Sequence, residues 1–108
     1  MKFNIKKGST TPDLVAILQQ SNGTPINLTG ATVTFSMRPA GGGTPKITNA
    51  AALMIDAVNG RVGYQWQVAD TNTALRYSAE FKVVWPGGAV EIFPAEYYIS
   101  IHVNEAVV

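Results

Sequence analysis

Between Tyr77 and Phe93 the chain reads Y-S-A-E-F-K-V-V-W-P-G-G-A-V-E-I-F, and no other stretch limits the fold as strongly. Tyr77, Ala79, Phe81, Val83 and Trp85 alternate with Ser78, Glu80, Lys82 and Val84, the period of two that gives a strand one buried face. Pro86-Gly87-Gly88 breaks the pattern, and glycine reaches the positive φ angles that a tight reversal demands. The segment is therefore a β-hairpin. With Gly87-Gly88 as a two-residue loop, Trp85 faces Val90, Val83 faces Ile92 and Phe81 faces Pro94 on one apolar side. Glu91 then falls on the other side, diagonal to Lys82, and Phe93 is left on the outer face as an aromatic available for contacts. Sliding the register by one residue turns Glu91 inward and Ile92 outward, so the first register is expected.

Asn59-Gly60 predicts a second hairpin in the same way. Pairing outward from it sets Ala57 against Val62, Ile55 against Tyr64 and Leu53 against Trp66, with Met54, Asp56, Gly63, Gln65 and Gln67 on the mostly polar face. Further alternation predicts a strand over Ala31–Arg38, with Val33, Phe35 and Met37 inward, and a last strand with Tyr97, Ile99, Ile101 and Val103 inward. Phe3 and Ile5 alternate with Lys2, Asn4 and Lys6, a weaker strand at the amino terminus. Leu14 to Leu18 reads as a doubly buried or edge strand, although Thr11-Pro12-Asp13 before it and Asn22-Gly23 after it would also suit a short helix. The fold class is all-β: an immunoglobulin-like antiparallel sandwich of about seven to eight strands.

At 108 residues the chain is expected to form one domain, 1–108, with 1–11 an arm or edge strand and 104–108 a tail. Eight basic and seven acidic residues give no net field toward nucleic acid or membrane. Only 14% of the residues are charged, which suits either a surface partly covered by partners or a polar exterior rich in Thr, Asn and Gln. The absence of cysteine excludes disulfides, thiolate catalysis and cysteine zinc sites. No secretory or membrane-spanning pattern is present, so synthesis in a cytoplasm, with retention there or release by lysis, is expected.

Motifs that would carry chemistry fail on their own terms. Gly41-Gly42-Gly43-Thr44-Pro45-Lys46 lacks the spacing of a phosphate loop and has no helix after it, so it reads as a surface loop. His102 is the only histidine, which rules out a histidine-rich metal site. Glu80, Glu91 and Glu96 offer carboxylates but no cleft to hold a sugar between them. The acceptor tripeptides at Asn22 and Asn27 read as chance matches in a Thr-rich turn region. No catalytic residue, metal site or cofactor is assigned.

Asp70-Thr71 followed by Tyr77 forms a more specific pattern. In immunoglobulin-like sandwiches a corner tyrosine stands two residues before the core cysteine and bonds backbone across the turn. Here Ala79 takes the cysteine's place and Trp66 is suited to the large inter-sheet position, although Tyr77 serves equally as a plain strand start.

Four pieces carry a likeness to a known family: Leu28 to Arg38 (L-T-G-A-T-V-T-F-S-M-R), Gly60 to Trp66 (G-R-V-G-Y-Q-W), Asp70-Thr71, and Tyr77 to Phe81 (Y-S-A-E-F). With Gly88, Glu91, Phe93-Pro94 and Ile99 to Val103, they occur in an order that resembles the immunoglobulin-like amino-terminal domain of phage baseplate upper proteins and related small tail proteins. The resemblance implies a non-enzymatic virion protein, a baseplate or tail adaptor that attaches fibres or receptor-binding proteins to the particle. It implies other virion proteins as partners, symmetric copies in the particle, no nucleic acid and no membrane. A head decoration or tail-completion subunit, or a carbohydrate-binding module resting on Phe93 and Tyr98, are the alternative readings. The residues expected at interfaces are Phe3 and Ile5 on the amino-terminal strand, the aromatics Phe93 and Tyr98, and Val107 and Val108 at the apolar end.

Overall fold

In the computed structural model, which describes residues 1–107, every regular element save one turn is a strand. In chain order these are β1 (Lys2–Lys6), β2 (Leu14–Ile17), β3 (Thr32–Pro39), β4 (Ile47–Ala51), β5 (Leu53–Asp56), β6 (Arg61–Tyr64), β7 (Leu75–Val84), β8 (Val90–Phe93) and β9 (Ile99–Asn104). Val68–Thr71 form one turn of 3-10 helix. The larger sheet runs β1-β9-β7-β3-β4, with β8 also on β7, and the smaller runs β2-β6-β5. Because β3 occupies one flank of β7 along Tyr77–Val84, β8 and β9 share the other. The all-β sandwich is as expected, with nine strands and with β1 parallel to β9.

Alternation builds the interior. Val33, Phe35 and Met37 from β3, the odd residues Tyr77 to Val83 from β7, and Ile99, Ile101 and Val103 from β9 meet Leu14, Ala16, Val62 and Tyr64 from the smaller sheet. Trp66, just past β6, is the large inter-sheet residue that its sequence position proposed. Phe3 stacks on it at 5.7 Å, and Phe35 and Tyr64 meet it edge-on at 5.9 and 5.3 Å. Each such aromatic contributes about 2–3 kcal/mol by leaving water.

Both hairpin registers differ from the sequence expectation. Trp85 N–H donates to the Ala89 carbonyl at 2.7 Å and Gly88 N–H to the Trp85 carbonyl at 2.9 Å, so the loop holds Pro86, Gly87 and Gly88. Both glycines take positive φ, 97° and 96°. The ladder then pairs Val83 with Glu91, Lys82 with Ile92 and Phe81 with Phe93. Phe93 turns into the core and Ile92 faces solvent, the reverse of the expectation. The carboxylate that argued against this register escapes burial: Glu91 stays exposed and accepts a hydrogen bond from Trp85 Nε1 at 3.3 Å. With that cost removed, burial of Phe93 decides the register.

The second turn spans residues 57–60, closed by Gly60 N–H to the Ala57 carbonyl, and pairs Leu53 with Gly63 and Met54 with Val62. Leu53 and Ile55 are consequently exposed instead of inward. Gly60 is held by another contact, its carbonyl accepting from Leu18 N–H at 2.8 Å. A Cβ there would lie 2.7 Å from the carbonyl oxygens of both Leu18 and Ile26, so the backbones meet where only glycine fits. Tyr97 also departs: its φ is 63°, its side chain is exposed, and the last strand begins at Ile99.

Candidate interaction surfaces

Among the described residues, strand β2 has a partner on one side only. Leu18 N–H donates to the Gly60 carbonyl, and the antiparallel ladder carries that hydrogen-bonded alternation back through Ala16 and Leu14. The N–H and C=O groups of Val15 and Ile17 therefore face away from β6, along an open edge. A cleft of about 470 Å³ lies beside this edge, between Ala16–Ser21 and the segment that joins β8 to β9. Its apolar lining includes Leu18, Phe93 and Ile99, with Glu96 and Met1 also on its wall. The cleft exists because β8 and β9 pair with different halves of one flank of β7, which leaves a gap between Phe93 and Ile99.

A second, shallower depression of about 320 Å³ lies on the outer face of the larger sheet. Arg38 reaches over Tyr98, with its guanidinium carbon 5.5 Å from the ring centroid and Nη2 donating to the phenol oxygen at 3.2 Å. Ser36, Ser78 and Glu80 complete its polar wall.

Two tyrosine hydroxyls are committed to structure. Tyr77 donates to the Thr73 carbonyl at 3.0 Å, four residues upstream, which favours the tyrosine-corner reading over that of a plain strand start. Tyr64 donates to Asp70 at 2.6 Å inside the domain, and Gln67 N–H donates to the same carboxylate oxygen at 2.8 Å. Burial first, then the bond to Asp70 and its charge, raise the Tyr64 hydroxyl well above the ordinary tyrosine range. Burial likewise raises Tyr77.

The carboxylates weighed as a pair are dispersed: Glu80 lies in the shallow depression, Glu91 on Trp85, and Glu96 beside the cleft. Among the described residues no group of three or more His, Asp or Glu side chains is placed to hold a metal. His102 stands half-buried on the outer face, and desolvation, then the charges of Lys2 and Arg76, lower its pKa.

Of the residues expected at interfaces, Tyr98 and Val107 are exposed. Phe3 is half-buried against Trp66. Ile5 and Phe93 belong to the core, 5% and 4% exposed, and Phe93 shows only an edge on the wall of the β2 cleft instead of the exposed outer face expected of it. Val108 lies outside the described residues. Sequence reasoning missed the β2 cleft, because its far wall depends on how β8 and β9 divide β7; the apolar run at Leu14 to Leu18 was its only signal.

Comparison with curated proteins finds no match. Residues 4–91 match the family model described as the BppU N-terminal domain, the amino-terminal domain of baseplate upper proteins. The match runs from within β1 through β7 to the start of β8, including the open edge of β2 and the tyrosine corner. The chain belongs to this family, and membership makes it a phage baseplate structural protein, part of the virion and in contact with other virion proteins.

Proposed function

We propose that the domain is a non-enzymatic adaptor that attaches fibres or receptor-binding proteins to the phage particle. The open edge of β2 beside its apolar cleft carries this reading. An extended segment of a neighbour that enters there pairs with the free N–H and C=O groups of Val15 and Ile17 and sets alternate side chains against Leu18, Phe93 and Ile99. Phe3, Tyr98 and the tail at Val107 and Val108 are further contact candidates, and symmetry in the particle would repeat each contact.

Ile17→Pro tests the reading. It removes an edge-facing N–H and leaves the β6 ladder whole, a position where a strand tolerates proline. Mass spectrometry of purified particles is expected to find the wild-type chain at a fixed copy number and the folded variant depleted. Limited proteolysis is expected to cut the termini more slowly in particles than in free protein. Absence of the wild-type chain from particles overturns the adaptor reading, and equal incorporation of Ile17→Pro overturns the role of β2.

A further inference from the structure

The outer face of the larger sheet concentrates positive charge that the overall balance conceals. One row across four strands reads Lys2, Ser100, Ser78, Arg38; the next reads Asn4, His102, Arg76; a third pairs Lys6 with Asn104. Four cations thus occupy an area of roughly 14 Å by 14 Å, given the spacing of strands and of residues along them. No carboxylate stands in these rows. Glu80 stands beside Arg38 at one margin, and Glu105, whose backbone carbonyl accepts from Lys6 Nζ at 3.2 Å, follows Asn104 at another. All four cations are exposed; neighbours such as Arg38 and Arg76, roughly 8 Å apart, lie within about one Debye length at physiological salt, whereas Lys6 and Arg38, roughly 20 Å apart, reinforce each other only at low salt. The field also registers on its neighbour, since desolvation and then the charges of Lys2 and Arg76 disfavour the proton on His102.

We infer that this face, centred on Arg76 and His102 and bounded by Lys2, Lys6 and Arg38, docks an acidic surface of a neighbouring virion protein. The inference rests on the adaptor reading and names the chemistry of one partner. Charge complementarity selects a compact acidic protein surface over nucleic acid. The whole chain carries a formal net charge of only +1, so these four cations leave the remainder net negative. A stiff duplex can set only a few phosphates on a patch roughly 14 Å across, whereas a compact acidic surface or a flexible carboxylate chain can match its shape. Serine and asparagine between the cations supply neutral hydrogen-bond partners to fix orientation.

The test compares binding of the wild-type protein and the Arg38→Glu/Arg76→Glu variant to poly-L-glutamate and to a DNA duplex of equal charge, at low and physiological salt. Both substituted positions point outward, and an unchanged thermal transition confirms that the variant folds. Polyglutamate is expected to bind the wild type and to lose about tenfold or more in affinity on adding salt, and again in the variant. No polyglutamate binding at low salt, an undiminished variant, or tighter binding to the duplex overturns the inference. Incorporation into particles separates the two readings. Wild type and variant present in equal amounts sinks the acidic docking face and leaves the adaptor standing, whereas absence of the wild type sinks the adaptor.

Discussion

Tyr64 and Asp70 are joined by a 2.6 Å hydrogen bond inside the domain, and Gln67 N–H shares the same carboxylate oxygen. The pair ties the end of β6 to the 3-10 turn that leads into β7, so the smaller sheet is latched to the larger by a polar contact as well as by packing. Tyr64→Phe keeps the ring and its 4.5 Å stack on Phe35 while it strips a charge-assisted bond from a buried carboxylate. The expected loss is about 1.5–3 kcal/mol, read as a lower denaturant midpoint with an unchanged slope. A midpoint that does not move shows that solvent replaces the phenol at no cost.

The same tyrosines set an alkaline limit. Tyr64 and Tyr77 both hold their protons more tightly folded than unfolded. The folded state therefore binds more protons above the unfolded tyrosine value of about 10, and stability falls as pH rises from there toward the folded values. Below about pH 10 this contribution is fully present. Denaturant midpoints between pH 9 and 11.5 are expected to fall more steeply in the wild type than in Tyr64→Phe; parallel curves count against the assignment.

Phe93 and Ile92 distinguish the two hairpin registers. With Phe93 buried and Ile92 exposed, Phe93→Ala is expected to cost about 3–5 kcal/mol and Ile92→Ala less than about 1 kcal/mol. Thermal denaturation of the two variants decides it, and the reverse ranking restores the two-residue Gly87-Gly88 loop.

Gly60 is the backbone position least tolerant of a side chain. Its φ is 68°, and an added Cβ meets two carbonyl oxygens at 2.7 Å. Gly60→Ala is expected to cost about 2 kcal/mol or more, whereas Gly41→Ala, which meets nothing within 4 Å, stays within about 0.5 kcal/mol. Equal melting temperatures for the two variants would remove the close approach at residues 18, 26 and 60.

Strands β3, β7 and β9 were legible because period-two alternation persists through their inward residues, and Trp66 and Tyr77 fell where the tyrosine-corner pattern put them. Both hairpins were visible, but their registers were not. Face segregation treats every inward position as buried, and Glu91 shows that an inward-side residue at the rim can remain in water. At Asn59-Gly60 the turn dipeptide was read locally, while the position of Gly60 is set by Leu18 and Ile26, more than thirty residues earlier. Strand β4 escaped notice because Ile47–Ala51 shows little alternation and takes its place from the ladder with β3. The surfaces were hidden for a related reason: the β2 cleft and the cationic face are products of strand order, which juxtaposes residues up to a hundred positions apart.

The parallel pairing of β1 with β9 carries a mechanical consequence. Lys2 lies beside Ser100 and Lys6 beside Asn104, so the amino end and the carboxyl tail leave the domain at opposite poles. Traction between them drags the two strands past each other and strains the whole five-residue ladder at once, instead of peeling it one bond at a time. Pulled from its ends, the domain resists as a shear joint.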